Sequence, residues 1–474
     1  MKKRLYFCMA VLSVAALMVT STVKAENPSK PRVVVLTDSE VDDRCSMVHL
    51  LLCSNEVDIA ALIQTNSCFQ RHGWSHEHWL EKQLDHYAEV YPNLKVHSAD
   101  YPTPDELRAK VFVGDEDSTH IVVDAMAPAR FPGMEPQIDP TGWADTPGSD
   151  RIVEILLEDD PRPVFIQAWG GGNTAAKAFQ KLKDQYPAEY DRAIRKVVMY
   201  NIWYQDGAGS YIEKYHPQVT MLLSHFFAGT WGYGNQAYTE GFVENYLHNG
   251  HGSLGPDYVQ SFISEGDSPS FFYSLENGLR SYEDPTYGGW GGLFYKLDGF
   301  ENVYRDVSRG SYMRWTEYNL RDFEMRLQWC VAPTYEEANH KPVVNITTGL
   351  DMTVKSGDKV VITADTHDTD IPDLDYLYDS RKELYEQAGV TKAFFMENWE
   401  KIVTSYSSVF WQYYEAGTCT KHITLTQDKS DEVYFIAPEV TEPCTIHIIY
   451  EATDNGKPAV TSFARIIVTV LPKS

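Results

Sequence analysis

The apolar run Arg32–Thr37 leads directly into Asp38-Ser39-Glu40-Val41-Asp42-Asp43, so four carboxylates fall within six residues. Such a group repels itself unless a cation or a bound proton intervenes. Carboxylate oxygens are hard ligands, and Ca²⁺ accepts an irregular shell of about six to eight oxygens, which a loop can supply. The expected chemistry is that of a divalent cation, with Ca²⁺ as the cofactor. A structural reading competes with it, in which Asp42 or Asp43 caps the helix that follows and Asp38 is an ordinary loop acid.

A second concentration of reactive side chains is Arg71-His72-Gly73-Trp74-Ser75-His76-Glu77-His78-Trp79. His72 and His76 have the spacing of a helical zinc pair. Gly73 between them favours a loop or a helix start. Trp74, Trp231 and Trp290 can stack on a sugar or base, or serve as core. Gly232–Ala237 has the letters of a dinucleotide fingerprint, but no strand precedes it and no acidic residue follows in a β/α context. Neither G-x-S-x-G nor a phosphate-binding G-x-x-x-x-G-K-[ST] occurs, so serine-hydrolase and P-loop chemistry lack support. The cysteines form no C-x-x-C pair, which excludes a zinc ribbon. Cys419 and Cys444 are the pair an oxidising compartment would let bridge, and both the bridged and the free state remain open.

Chemistry at Asp38 needs a strand that ends there, because ligands of open α/β sheets bind beyond the carboxyl ends of strands. Strands are predicted at Arg32–Thr37, Ile59–Thr65, Val164–Ala168 and Lys196–Tyr200, and helices at Asp42–Cys53, Asp150–Glu158 and Asn173–Tyr186. A long amphipathic stretch, His76–Tyr91, lies among them. This alternation specifies an open, doubly wound, mainly parallel sheet. Between Asn201 and Arg321 the chain turns aromatic and glycine-rich, as functional loops over a rigid sheet do. After Pro333, short strands are expected at Val343–Val354, Lys359–Ala364, Cys419–Leu425, Glu432–Ala437, Cys444–Glu451 and Ser462–Leu471, with a helical insertion over Leu374–Ser405. That spacing fits an immunoglobulin-like β-sandwich. The expected organisation is therefore a leader over 1–25, an α/β domain over 26–335 and a β-sandwich over 340–474.

The leader reading rests on Lys2, Lys3 and Arg4 ahead of the apolar Leu5–Val19 and on small residues around Ala25, and it implies a periplasmic or secreted protein. Cleavage after Ala25 removes four basic residues and no acidic one, moving the net charge from −26 to −30. A chain so acidic repels phosphate backbones and anionic lipid, which argues against nucleic acid polymers and membranes as partners. At 474 residues and 43% hydrophobic content it can bury a full core.

The residues quoted above resemble those of a known family. Nucleoside hydrolases open with a strand followed by D-T-D-x-x-x-D-D, and the chain has Leu36-Thr37-Asp38-Ser39-Glu40-Val41-Asp42-Asp43. The resemblance implies that Asp38, Asp42 and Asp43 are calcium ligands and that Asp38 is the general base for the attacking water. Asn66, at the end of Ala61–Asn66, resembles the active-site asparagine, and Gln167–Asn173 resembles the T-G-P-L-T-N turn, which makes the Ala168 carbonyl a ligand. Glu265-Gly266-Asp267-Ser268-Pro269 resembles the late element that supplies the last carboxylate, Asp267. The chain is most similar to a secreted bacterial, cellulose-binding branch of that superfamily, through these motifs, Gly288–Gly292 and Tyr414–Thr418.

Three departures stand out. Leu36 replaces the first aspartate, Gly266 replaces the histidine that helps the base leave, and the ribose-gripping residues have no clear counterpart, although Asn201, Gln205 and Asp206 lie about where they belong. The expected function is a calcium-dependent hydrolase of N-glycosidic or related glycosidic bonds. Asp38 is its base, and Asn66, Asn201, Asp206, Trp74 and Trp290 contact a nucleoside or glycoside. His72, His76, His78 and Glu265 are candidate proton donors. The alternatives are a non-catalytic protein binding a cellulose-like polysaccharide and a purely structural calcium-binding protein.

Overall fold

The computed structural model of the chain describes residues 30–123, 132–226, 241–370, 374–402 and 405–473. Residues 1–25, expected to be a leader, Trp231 and the glycine-rich run 232–237 lie outside them.

Eight strands form the main sheet: β1 (Arg32–Thr37), β2 (Asp58–Gln64), β3 (Val111–Val113), β4 (Val164–Ala168), β5 (Val197–Ile202), β6 (Thr220–Ser224), β7 (Phe294–Lys296) and β8 (Val303–Asp306). Their order is β3-β2-β1-β4-β5-β6-β8-β7, and only β7 runs antiparallel to its neighbour. Strand order reverses between β1 and β4, the switch point where such sheets open a crevice. Both margins of the sheet are strands of three residues.

Alternate residues of β1 feed two cores. Val33 and Val35 pack with α1 (Val41–Leu52), α2 (Trp79–His97) and the helix Thr316–Trp329. Val34 and Leu36 pack with the helices Pro147–Leu157, Asn173–Gln185 and Ala208–Tyr215. Each fully buried Val or Leu contributes about 1.5–3 kcal/mol, which is why a strand covered on both faces carries a continuous apolar run. Helix starts follow local chemistry: Thr146 and Ser149 form a capping box with Pro147 in the first turn, where its missing N–H costs nothing.

Strands β1 and β4 have the bounds the sequence predicts, and β2 and β5 shift by one or two residues. The His76–Tyr91 stretch is corrected: Ser75–Glu77 is a single 3-10 turn and the helix runs Trp79–His97.

The C-terminal strands make two four-stranded sheets around one core. One has the order β10 (Asp351–Lys355), β16 (Thr461–Leu471), β15 (Cys444–Asp454), β12 (Tyr406–Gln412); the other β13 (Thr426–Lys429), β14 (Glu432–Ile436), β11 (Lys359–His367), β9 (Val343–Ile346). Pairing is antiparallel except between β10 and β16. Two expectations are corrected here. Val343–Val354 is two strands in different sheets, divided by a turn in which Gly349 adopts φ +90°. Cys419–Leu425 is not a strand, because it carries the chain from β12 across to β13 in the opposite sheet. The insertion expected to be helical over Leu374–Ser405 carries the helices Leu374–Ser380, Lys382–Gln387 and Lys392–Ile402, and Tyr406–Gln412, a strand not among those expected, pairs along β15. Cys419 and Cys444 are both free thiols. They are neighbours, since the Cys419 N–H donates to the Thr445 carbonyl at 3.0 Å. Burial and then the Cys419 thiol beside it push the Cys444 thiol up to about 12.

The two parts share interior. Tyr413, Ile449, Val460 and Phe463 belong to the same buried cluster as α1 and the helix Thr316–Trp329. Arg465 of β16, fully buried, donates to the carbonyls of Leu279 and Gly288. A Cβ on Gly278 would sit 1.9 Å from the Phe463 carbonyl oxygen.

Candidate functional site

The carboxylates gather where β1 ends. Thr37 Oγ1 donates to Asp43 Oδ1 at 2.5 Å, and the Asp38 N–H donates to the same oxygen at 3.1 Å. The turn is held by Ser39 in the left-handed region at φ 70°, uncommon for a side chain larger than glycine. Arg44 secures it, donating from Nε to the Ser39 carbonyl at 3.3 Å and from Nη2 to Ser39 Oγ at 3.0 Å. Helix α1 starts at Val41 with Glu40 at the N-cap and no side-chain capping bond. The acids thus face one another rather than the helix end.

Asp267 arrives from the far end of the sequence, on a segment fastened to α1. His49 Nδ1 and Glu265 Oε2 lie 2.9 Å apart with both side chains fully buried, and Glu265 Oε2 also accepts from Ser268 Oγ at 2.5 Å. Ser268 Oγ in turn reaches Ser46 Oγ at 3.2 Å. On the other side, Trp169 Nε1 donates to Ser270 Oγ at 2.7 Å, tying the segment to the residue after Ala168. Ala168 itself ends β4 between Leu36 and Asn201.

One carboxylate oxygen each from Asp38, Glu40 and Asp43, and likewise from Asp42, Asp43 and Asp267, lie within 4.8 Å of one another. Asp38 and Asp267 are 1% and 2% exposed, and Asp38 Oδ2 and Asp267 Oδ2 have no hydrogen-bond partner among the described residues. Burial raises the pKa of both, well above the usual carboxylate range for Asp267, where the neighbouring charges of Asp43 and Asp42 add to it. Asp43 is raised well above that range by burial and then by Asp38, and Glu40 is pushed up to about 9 by burial and the charges of Asp38 and Asp42. Protein donors leave this cluster short of positive charge. Orphaned, buried, converging carboxylate oxygens are the donor set a hard divalent cation requires.

Glycines let the pocket close. A Cβ on Gly170 would lie 2.6 Å from Asp38 Cβ; one on Gly171 would lie 2.4 Å from Asp206 Oδ2 and 2.5 Å from the Asn66 carbonyl oxygen. Asn66 is fully buried, with Nδ2 donating to the Arg71 carbonyl at 3.0 Å and Oδ1 without a partner. Asp206 accepts from the Asn173 N–H at 2.8 Å and the Ala208 N–H at 2.9 Å, tying two helix starts together, and burial pushes it up to about 7. Asn201 Nδ2 donates to the Met199 and Leu222 carbonyls. Trp74 is half-buried and donates to Gln70 Oε1 at 2.6 Å. Trp290 is enclosed between Phe272 and Phe463 with 2% exposed, a core position away from solvent. Leu36, where the family pattern has an aspartate, buries its side chain in the core beneath the sheet.

The proton-donor candidates fare unevenly. Glu265 is closed in by His49, Ser268 and Tyr258. His72, His76 and His78 are exposed, and no helix spans His72 and His76, so the zinc spacing is lost. Sequence reading did not single out Asp115 and His120, which lie beyond the end of β3 with Oδ2 and Nδ1 2.7 Å apart. Their only signal was an acidic loop, Gly114-Asp115-Glu116-Asp117, after a strand of three residues.

A family model described as cellulose-binding Sde182, nucleoside hydrolase-like domain, matches residues 32–294, and one described as cellulose-binding protein Sde0182, C-terminal domain, matches residues 404–470. Among solved structures, a nucleoside hydrolase-related hypothetical protein from Saccharophagus degradans, associated with carbohydrate metabolism, is 24% identical, with a TM-score of 0.76 over 93% of this chain and 100% of that one. The type III effector XopQ complexed with adenosine diphosphate ribose is 10% identical over 66% of this chain and 95% of its own, and its TM-score of 0.33 is too low to carry an argument. No curated protein matches the chain. With more than half its length matched by the first model, the chain belongs to the cellulose-binding Sde182 nucleoside hydrolase-like family.

Proposed function

We propose that the chain is a calcium-dependent hydrolase of glycosidic bonds, N-glycosidic bonds of nucleoside type foremost. The observation that carries this reading is the pair of orphaned, buried oxygens, Asp38 Oδ2 and Asp267 Oδ2, in a cluster of converging acids. Asp38, Asp42, Asp43 and Asp267 would hold the cation by their side chains and Ala168 by its carbonyl. When bound, the ion supplies Lewis acidity that makes water a better nucleophile at neutral pH.

The chain's own residues do the rest. Asp38, held by the strand end and the Ser39 turn, takes the proton from the attacking water as the anomeric carbon gains oxocarbenium character. Asn66 turns its free Oδ1 to a sugar hydroxyl. Gly170 lets the turn after β4 close on Asp38, and Gly171 lets it close on Asp206 and the Asn66 backbone. Trp74 offers an aromatic face at the rim.

Residues 26–335 would form the hydrolytic domain and 340–474 an immunoglobulin-like module, both delivered outside the cytoplasm by the leader.

A second reading has its own support. Gly266 puts no side chain where the nucleoside-hydrolase pattern has its histidine, Asp206 spends both oxygens on backbone N–H groups, and the matching family models are described as cellulose-binding. On that reading the protein holds polysaccharide without cleaving it.

One experiment separates them. Purified protein is incubated with a nucleoside panel and with sugar glycosides, with and without EDTA, beside Asp38→Ala. Chelator-sensitive release of base or aglycone, reduced at least about 10²-fold in the variant, supports the hydrolase. Retention on insoluble cellulose with no turnover supports the binder and overturns the first reading.

A further inference from the structure

Cleavage of a glycosidic bond with a poor leaving group needs a proton for the departing atom; Glu265 is enclosed by His49, Ser268 and Tyr258, and Gly266 stands where the nucleoside-hydrolase pattern has its histidine. We propose that His120, oriented by Asp115, donates the proton; this rests on the hydrolase reading.

The dyad is built into the carboxyl edge of the sheet. Asp115 follows β3, which lies parallel to β2, the strand that ends at Gln64, two residues before Asn66. Its carbonyl accepts from the Asn66 N–H at 3.0 Å and from Thr65 Oγ1 at 2.9 Å, and its N–H donates to Thr174 Oγ1 at 2.8 Å. His120 is tied to the same region. Its carbonyl accepts from Asn173 Nδ2 at 3.1 Å, and the Asn173 N–H is held by Asp206. Arg71, whose carbonyl anchors the Asn66 side chain, donates to the carbonyls of Ile121 at 2.7 Å and Val123 at 3.3 Å. The segment bearing His120 is therefore clamped on both sides to the residue that would contact the sugar.

The ring is held as firmly as its backbone. It stacks on Trp143 at 3.8 Å between centroids and 10° between planes. Asp115 Oδ2 takes Nδ1–H at 2.7 Å, which fixes the tautomer and leaves Nε2 as the nitrogen that gains and loses a proton. The side chain is 19% exposed, and the acid nearest Nε2 is Asp117 Oδ2 at 3.8 Å. This arrangement of a carboxylate, an oriented imidazole and an open second nitrogen is the geometry of an acid that delivers a proton.

The bond from the anomeric carbon to the leaving nitrogen or oxygen breaks with its electron pair going to the leaving atom. Nε2–H of the imidazolium passes its proton to that atom, and His120 is left neutral with Nδ1–H on Asp115. Water adds to the anomeric carbon and gives its proton to Asp38. The products are the free sugar and the protonated base or aglycone.

The test uses the full chain and two substrates with the same sugar: 4-nitrophenyl riboside, whose phenolate departs unprotonated, and inosine. In His120→Asn the ratio of rates on the nitrophenyl riboside to inosine rises about 10²-fold over the unaltered protein, and the alkaline fall of kcat/KM on inosine disappears. Asp115→Asn moves both readouts in the same direction by less. Melting and calcium titration establish that the variants are folded, and the His120 ring ¹⁵N resonances shift when inosine binds to Asp38→Ala. An unchanged ratio with an unchanged pH profile in an active protein overturns this assignment alone. No turnover of either substrate by the unaltered protein, with or without calcium, overturns the hydrolase reading and this one with it.

Discussion

At the scale of single residues, the acid cluster predicts a change of sign with calcium. Asp267 is enclosed among like charges, so Asp267→Asn relieves repulsion in EDTA and raises stability there by about 1–2 kcal/mol. The same substitution removes a ligand and weakens calcium binding by about 10-fold or more. Melting in EDTA against melting in millimolar calcium reads both effects, and a variant less stable than the parent in EDTA would contradict the cluster's electrostatics. A second prediction concerns acid. His216 is fully buried, its Nδ1 accepts from Tyr190 OH at 2.6 Å, and burial pushes it down to about 3. The unfolded side chain titrates near 6.5, so between about pH 6.5 and 3 the unfolded chain binds the extra proton and this contribution to stability is lost as pH falls. Asp454, pushed up to about 6, acts with the opposite sign, so the comparison must be made between variants. His216→Gln flattens the pH dependence of the unfolding free energy, read by urea denaturation between pH 6 and 4, by about 1 kcal/mol per pH unit. Asp38 through Asp43 were legible from one local pattern, whereas Asp267, which shares their cluster, was named only through the family resemblance. His120 was reached by neither, because its significance lies in Asp115, Trp143 and Asn173, contacts that no spacing announces.

At the scale of elements, the turn after β4 is a packing device. Gly171→Ala drives a methyl group into Asp206 and the Asn66 carbonyl, both already held by other bonds, and costs about 1–3 kcal/mol along with activity. Gly142→Ala meets nothing within 4 Å and stays within about 0.5 kcal/mol of the parent. Urea denaturation of the two compares them, and equal losses would show that close approach at 171 is not what the glycine provides. Strands buried on both faces were readable because burial leaves an apolar run, as in Val164–Ala168. Cys419–Leu425 misled because β-favouring residues also line a crossing loop: the Ile423 N–H bonds to Gln412 Oε1 rather than to a neighbouring strand's backbone. The strand Tyr406–Gln412 was hidden behind a helical pattern that stops only just before it.

At the scale of the whole molecule, the α/β part and the sandwich are held by shared burial. Trp290 lies against Phe463, Trp315 against Phe463 and Tyr413, and Arg465 reaches two carbonyls across the boundary. A chain cut after residue 340 loses these partners and exposes that surface. We expect the full chain to melt in one calorimetric transition and the truncated one to be insoluble or to melt far lower; two well-separated transitions in the intact protein would refute the shared core. The sequence showed both parts but not their union, since nothing in Phe463 or Arg465 says which surface each meets. The margins of the main sheet have a consequence of another kind. Each is a strand of three residues, β3 on one side and β7 on the other. An incoming peptide finds too few unpaired backbone groups there to extend the ladder, so concentrated solutions should resist fibre growth from these rims.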